Sequence, residues 1–218
     1  MTVEEYKLLY KDDDAPGWNS IDKALLKIYP DNQVRHYPPL CGVHFMAGGT
    51  DPIDGASIYD SENQQFHRHI ISYGMSELYY NEDAPGKDFS KWGFEFTFRL
   101  EPFEEDKTDP LWAVHVMNNL ARYVFESGRW FEPFHFLPAK GPIRANTETE
   151  IHGLAFIEDP ELGKIETPHG EVTFLQIVGI TKNELDILLK NPSLSEVEKL
   201  LHEIKKDNPL LITDLNRK

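Results

Sequence analysis

The residues best suited to chemistry in this sequence are two histidines, His67 and His69, in the stretch QFHRHIISYGMSELYYNEDAPG that begins at Gln65. The apolar residues around them predict a strand, and two residues that lie two apart on a strand project from the same face. Two imidazoles on one face form half of a zinc or iron site, which needs one or two further ligands. The stretch is therefore either part of a metal-dependent hydrolase or one wall of a surface that binds another protein.

The further ligands of such a metal site would be other histidines. The candidates are His44, His115, His135, His152 and His169. None of them stands in a metal-binding motif such as HExxH, in which two histidines and a glutamate lie on one helix. Histidines on strands also occur half-buried and hydrogen-bonded without any metal. We therefore expect no cofactor, and the metal-dependent hydrolase stays as the alternative.

Nucleophilic catalysis has less support still. Cys41 is the only cysteine, and although His44 follows it closely, no capped helix start or basic neighbour is present to activate the thiol. No GxSxG motif occurs, and the glycines of FMAGGTDP do not open a helix after a strand, as phosphate-binding motifs do. The sequence specifies no catalytic residue, so we expect a protein that is not an enzyme. A single cysteine forms no internal disulfide, which fits a reducing, cytoplasmic setting.

The charge of the chain is strongly acidic and uneven. The 218 residues carry a formal net charge of −15, and residues 1–110 hold 21 Asp and Glu against 10 Lys and Arg. Such a field repels nucleic acid, and it speeds association with a basic partner. The alternative is that the acidic surface only keeps the protein soluble. No apolar run of about 18 residues and no signal-peptide pattern occurs, so we expect no membrane partner.

Two elements next to the histidines are the clearest in the chain. In GFEFTFRL, residues 93–100, three phenylalanines and a leucine alternate with polar residues, which predicts a strand with one buried face. The strand around His67 would pair with it, leaving the acidic loop between them at one end. The segment that follows Asp109 predicts a long helix, capped by Asp109, with Pro110 in its first turn and Gly128 as its left-handed stop.

The remaining segments mix helices and strands without strict alternation. We predict a helix from Ser20 to Pro30, strands in TEIHGLAFIEDP and GEVTFLQIVGI, and a packed loop over residues 130–140. A capping box at Thr181 starts a helix, Ser193 or Ser195 starts another, and PLLITDL is a short final strand. The fold class is α+β: a mixed, largely antiparallel sheet packed against helices. Residues 1–18 are an acidic, loosely ordered lead-in, and residues 19–218 form a single domain.

The alternation also predicts which side chains form the core. We expect these to be Phe94, Phe96, Phe98, Leu120, Val124, Leu175 and Ile177.

Several segments resemble, in the same order, the Suppressor of fused family and specifically its N-terminal domain. They are GGTDPIDGASIY, HRHIISYGMSELY, GFEFTFRL, LARYVFESGRWF, IEDPELGKIETPHGEVTFLQIVGITKNEL and PLLITDLNR. The resemblance implies protein binding in place of metal catalysis. In animals the family restrains Hedgehog signalling by holding Gli-type factors, whose peptide adds as a strand between two domains. We expect this chain to correspond to the first domain of the family, so Gli binding is not carried over.

The resemblance also implies a binding edge in this chain. It maps onto Tyr79 and the segment from Tyr80 to Lys91, with Asp83 and Asp88 as the candidate acidic residues. The alternative is that these acids belong to a solvated loop. Single-domain forms of this kind resemble bacterial proteins, and the wider superfamily includes immunity proteins that neutralise toxins. We therefore expect a protein or peptide partner, with a basic toxin as the specific hypothesis.

Overall fold

The computed structural model describes residues 1–31, 33–39, 51–103 and 106–218. Within those residues it contains five helices and eight strands. The helices are α1 Val3–Leu9, α2 Pro16–Ile28, α3 Leu111–Ser127, α4 Lys182–Lys190 and α5 Leu194–Asp207. The strands are β1 Arg35–Tyr37, β2 Gly55–Ser61, β3 His67–Tyr73, β4 Phe89–Leu100, β5 Phe136–Pro138, β6 Ile151–Glu158, β7 Lys164–Thr167 and β8 Gly170–Thr181. None of these helices is long and apolar enough to cross a membrane.

The strands form one sheet in the order β1-β2-β3-β4-β8-β6-β5, and β7 pairs with the first part of β8. β4 and β8 are parallel, and the other strand pairs are antiparallel. As predicted, the strand that carries the two histidines pairs with the phenylalanine-rich strand. The α+β class and the mixed, largely antiparallel sheet are therefore confirmed.

One face of the sheet packs against α3 and holds the main apolar core. All seven predicted core residues are buried, and they belong to this cluster. The opposite face is covered by α2 at one side, and by α4 and α5 at the other. Burying apolar surface on both faces explains why even the polar residues of β4 between Glu95 and Arg99 are inaccessible to solvent.

The start of α2 is a correction. The helix begins at Pro16, four residues before the predicted cap at Ser20, and the Ser20 hydroxyl donates to the Pro16 carbonyl within the helix. The amides of Gly17 and Trp18, which lack partners inside the helix, donate to the carbonyl of Leu78 at 3.0 and 3.2 Å. This partner lies far away in the sequence, so local capping rules did not indicate the start.

The start of α3 is a second correction. Pro110 occupies the position before the helix, and Asp109 does not cap it. The Asp109 carboxylate instead accepts hydrogen bonds from Arg35 and from the Tyr37 hydroxyl, each at 2.7 Å. The predicted stop at Gly128 is confirmed, with a φ of 67° that favours glycine.

Three further segments differ from the predictions. The acidic lead-in is not loose throughout, because it contains α1 and the fully buried Tyr6; the domain boundary at residue 19 stays a prediction. The loop predicted over residues 130–140 contains β5, which is too short to show a strand period. The final segment makes one parallel bridge, between Leu100 and Thr213, instead of a strand. The capping box at Thr181 is confirmed, and Ser193 caps α5.

Candidate protein-binding surface

His67 and His69 do lie on one face of β3, and both are fully buried. The ring nitrogens of His67 contact the Gln65 carbonyl at 2.8 Å and the Arg99 guanidinium at 3.0 Å. Because the guanidinium only donates, His67 accepts at Nε2 and donates from Nδ1. The ring of His69 contacts the Tyr29 hydroxyl at 2.8 Å and a carboxylate oxygen of Asp159 at 3.1 Å.

These contacts do not support the hydrolase alternative. A metal ligand needs a free ring nitrogen, and all four nitrogens of His67 and His69 have protein partners. Burial lowers the pKa of His67 to about 4, and it also lowers the pKa of His69. The Arg99 charge would further repel a cation. Among the described residues, no group of three His, Cys, Asp or Glu side chains could hold a metal ion.

The other chemical candidates do not join this pair. His169 is buried elsewhere, where its ring contacts the Tyr6 hydroxyl at 2.7 Å and the Glu77 carbonyl at 2.9 Å. His115, His135 and His152 are not brought to the pair. Cys41 and His44 lie outside the described residues.

Asp159 is the centre of the network that the histidines belong to. Its carboxylate accepts from Arg99 at 2.9 Å, from the Thr97 hydroxyl at 2.9 Å and from the backbone amides of Glu161 and Leu162. Burial opposes the charge of Asp159, but His69 and Arg99 outweigh this and hold the pKa of the carboxyl well below its usual value. The network is a structural centre that joins β3, β4 and the turn after β6.

A second buried carboxylate, Glu95 on β4, fixes the loop that leads to the predicted binding residues. It accepts hydrogen bonds from the Ser72 and Ser76 hydroxyls at 2.6 Å, and from the backbone amides of Gly74, Met75 and Ser76 at 2.9 to 3.3 Å. Burial raises the pKa of Glu95, and the hydrogen bonds from the two serine hydroxyls and from the Ser76 and Gly74 amides counter that effect. The loop after β3 is therefore held in one conformation.

Of the predicted binding residues, three are exposed and one is partly covered. Tyr79 is 43% exposed, and its hydroxyl donates to Asp54. Asp83 and Asp88 are both exposed. Tyr80 is half-buried because its ring stacks on Tyr6 of α1, with 5.2 Å between the ring centroids. The lead-in therefore covers one side of the predicted surface.

The sequence did not predict an apolar groove beside this loop, which we call the β4 groove. It has a volume of about 600 Å³ and lies between the start of β4, the loop after α3, and β8. Phe89 and Trp130 on its rim are 58% and 53% exposed. Lys91 has a φ of 54°, and its ammonium group donates to the Gly74 carbonyl at 2.6 Å. Phe89 lies within the predicted segment from Tyr80 to Lys91, so the groove adjoins the predicted edge.

Comparison with known proteins shows the family of this chain. A family model described as Suppressor of fused protein matches residues 49–218. The human Suppressor of fused homolog is 35% identical over 210 residues, which cover 92% of this chain and 43% of the human protein. The chain belongs to the Suppressor of fused family. It spans less than half the length of its human and mouse relatives.

Solved structures of Suppressor of fused proteins share the fold. A chain of the Sufu–Fu complex has a TM-score of 0.81 and 27% identity, with 94% of this chain and 92% of that chain covered. Drosophila Suppressor of Fused has a TM-score of 0.80 and 27% identity, and the match covers 95% of this chain and 52% of that chain. A homolog from Neisseria gonorrhoeae has a TM-score of 0.62 at 14% identity, which shows the fold alone; 93% and 95% of the two chains are covered.

Proposed function

We propose that this chain is a non-enzymatic module that binds a partner polypeptide at the acidic loop and the adjoining β4 groove. The observation that carries the proposal is the exposed Phe89 ring on the groove rim, next in sequence to the exposed Asp88. Exposed aromatic side chains beside a concave apolar surface mark protein interaction sites, and such residues commonly contribute most of the binding energy. The Sufu–Fu complex indicates that a relative binds a protein.

The electrostatics favour a basic partner. The net charge of −15 is concentrated before residue 110, and it attracts a positively charged protein over distances near the Debye length. The Glu95 hydrogen bonds fix the loop before a partner binds, so little conformational entropy is lost when the complex forms. The acidic loop thus contributes steering and specificity, while Phe89 and Trp130 contribute apolar contact.

We further propose a setting for this binding. The partner is a basic protein in the same cytoplasm, and its capture blocks its action, as an immunity protein blocks a toxin. Only the charge and the family resemblance support this part of the proposal. The capture experiment that follows tests the setting and the surface separately.

The test begins with affinity capture from the native organism's lysate at low and high salt, with the bound proteins identified by mass spectrometry. We expect one basic partner that is retained at low salt and lost at high salt. A partner encoded beside this chain would support the immunity role. A basic partner without toxic activity would contradict that role and leave the binding function in place.

The purified partner then tests the surface. We expect the charge reversal of Asp83→Lys with Asp88→Lys, and separately Phe89→Ala, to weaken binding at least about tenfold, or about 1.4 kcal/mol. Neither variant should change the melting temperature, because exposed substitutions shift stability by about 0.5 kcal/mol or less. The control is Glu203→Lys with Asp207→Lys on α5, which changes the net charge equally. Unchanged affinity in both test variants would exclude this surface.

A further inference from the structure

One buried side chain holds α1 against the acidic loop, which joins β3 to β4. Tyr6 is the only buried residue of α1, and its ring stacks on Tyr80 of the loop. The Tyr6 hydroxyl accepts from the Asn81 amide at 3.1 Å and donates to Nε2 of His169 at 2.7 Å. Nδ1 of His169 donates to the Glu77 carbonyl at 2.9 Å, which leaves Nε2 as the acceptor. Tyr6 thus occupies a socket formed by the loop and by the turn between β7 and β8, which we call the Tyr6 socket.

The residue that follows Tyr6 brings a positive charge to the same loop. The Lys7 ammonium group forms an ion pair with the Glu82 carboxylate at 2.5 Å, and both side chains are about half exposed. The hydrogen bond to Glu82 raises the pKa of Lys7, and the charge of Asp83, one of the predicted binding residues, adds to that effect. An aromatic residue followed by a lysine is therefore what the acidic loop binds within its own chain.

Few other contacts hold α1 in this position. The Tyr80 amide donates to the Asp14 carbonyl at 3.0 Å, whereas Leu8 and Leu9 at the end of α1 are 81% and 63% exposed. A helix of seven residues is not stable by itself, because about 12–15 residues are needed even in favourable sequences. α1 can therefore detach by local unfolding while the clusters on both faces of the sheet stay packed. Its detachment would expose Tyr80 and open the Tyr6 socket.

We propose that α1 is an autoinhibitory strap, which a basic partner displaces by placing an aromatic side chain followed by Lys or Arg in the Tyr6 socket. The inference rests on the proposed function, because it assigns the partner's contact at the same acidic loop. The partner's ring stacks on Tyr80, and its positive charge pairs with Glu82 and Asp83. Since the strap belongs to the same chain, it competes at a high effective concentration and reduces the apparent affinity for the partner.

The probe for the test is a fluorescent synthetic peptide of four Tyr-Lys-Lys repeats, titrated against the full chain at low salt with anisotropy as the readout. Tyr6→Phe keeps the ring and the net charge but removes the hydrogen bonds to His169 and Asn81. We expect it to bind the peptide at least about threefold more tightly, because the socket is open in more molecules. Tyr10→Phe is the matched control and should leave the affinity unchanged, since the Tyr10 hydroxyl has no hydrogen-bond partner among the described residues.

A second pair of variants tests the charge of the strap. Lys7→Ala removes the ion pair with Glu82, and Lys23→Ala removes the same charge from an exposed position on α2. We expect Lys7→Ala to tighten peptide binding at least about threefold more than Lys23→Ala does. Equal effects of the two variants would mean that only the net charge matters, and would overturn the competition by Lys7.

Hydrogen exchange distinguishes displacement of the strap from binding beside it. The Tyr10 amide donates to the Tyr6 carbonyl at 2.9 Å at the end of α1. It should exchange at least about tenfold faster when the peptide saturates the chain, because a detached helix of this length unfolds. A Tyr10 amide that exchanges no faster with the peptide bound would overturn the strap.

The remaining outcomes separate the strap from the proposed function. If Asp83→Lys with Asp88→Lys weakens peptide binding but Tyr6→Phe does not tighten it, the strap is overturned and the acidic loop remains the binding site. If the charge reversal leaves the peptide affinity unchanged, the acidic loop is not the site and both proposals fail. If the peptide binds neither the wild-type chain nor Tyr6→Phe, the strap is again overturned, while the captured partner still tests the proposed function.

Discussion

The two faces of β4 are both buried, but they are stabilised in different ways. On one face, Phe94, Phe96 and Phe98 pack in the apolar cluster under α3. On the other face, Glu95 and Arg99 are equally inaccessible; Glu95 accepts hydrogen bonds from groups such as the Gly74 amide, and Arg99 donates to Asp159. In most strands, alternating side chains point to the inside of the protein and to its surface. In β4 they point to an apolar layer and to a buried polar layer.

The difference teaches what each layer contributes to function. Apolar packing stabilises the sheet in proportion to the apolar surface area that is buried, and it tolerates substitution by apolar side chains of similar volume. The polar layer depends on geometry, because removing one partner leaves a buried charge without compensation. Glu95 fixes the loop before Tyr79, whereas Arg99 joins β4 to Asp159 after β6. The polar face therefore sets the positions from which the loop after β3 and the turn after β6 begin.

The largest expected loss of stability comes from a substitution that disrupts the polar face. Asp159→Ala leaves the buried Arg99 guanidinium without its main partner, and we expect a loss of about 3–5 kcal/mol in the free energy of unfolding. Urea unfolding followed by circular dichroism measures it. The control is Glu158→Ala, the exposed neighbour on β6, which should cost about 0.5 kcal/mol or less. Equal, small losses in the two variants would mean that the network does not stabilise the fold.

The next largest loss of stability comes from substitutions in the apolar face. Phe96→Ala and Leu175→Ala remove neighbouring, fully buried side chains from the cluster under α3, and we expect each to cost about 2–5 kcal/mol. The same urea experiment measures both. Since the cavity is apolar, the loss should not depend on pH, in contrast to changes on the polar face. A loss below about 0.5 kcal/mol would contradict the placement of these side chains.

Much of the fold could be predicted because its signals are local. The phenylalanine alternation, the capping box at Thr181 and the stop at Gly128 each depend on a few neighbouring residues. The errors at α2 and α3 have one physical cause. The amide of Gly17 and the carboxylate of Asp109 form hydrogen bonds with groups that are distant in sequence, and those tertiary partners override local capping preferences.

The binding surface was less predictable for the same reason. The segment from Tyr80 to Lys91 came from the resemblance, and its role stays a prediction. The β4 groove brings together residues that are far apart in the chain, such as Phe89, Trp130 and Leu175, so no short motif marks it. The exposed Trp130 on the rim of this groove lies in a segment that the sequence presents only as an aromatic loop.

The smallest expected effect is the contribution of the polar face to the pH dependence of stability. His67 has a pKa of about 4 in the folded protein, because burial and the Arg99 charge disfavour the imidazolium, whereas the unfolded side chain titrates near 6.5. Between these values the unfolded chain binds more protons, so stability must fall as the pH falls. Each histidine of this kind contributes up to about 1.4 kcal/mol per pH unit. His69, whose pKa is also lowered, adds to the slope.

Replacing His67 isolates its contribution to the slope of stability against pH. His67→Gln keeps an acceptor for Arg99 and a donor for the Gln65 carbonyl, but it binds no proton, so the slope between pH 6.5 and 4.5 should decrease by up to about 1.4 kcal/mol per unit. The control His202→Gln removes an exposed histidine on α5 and should leave the slope unchanged. If both variants keep the wild-type slope, His67 is not held neutral by the polar face. A reduced slope in His67→Gln alone would show that the polar face keeps His67 neutral and so makes stability depend on pH, whereas the apolar face carries no group that titrates.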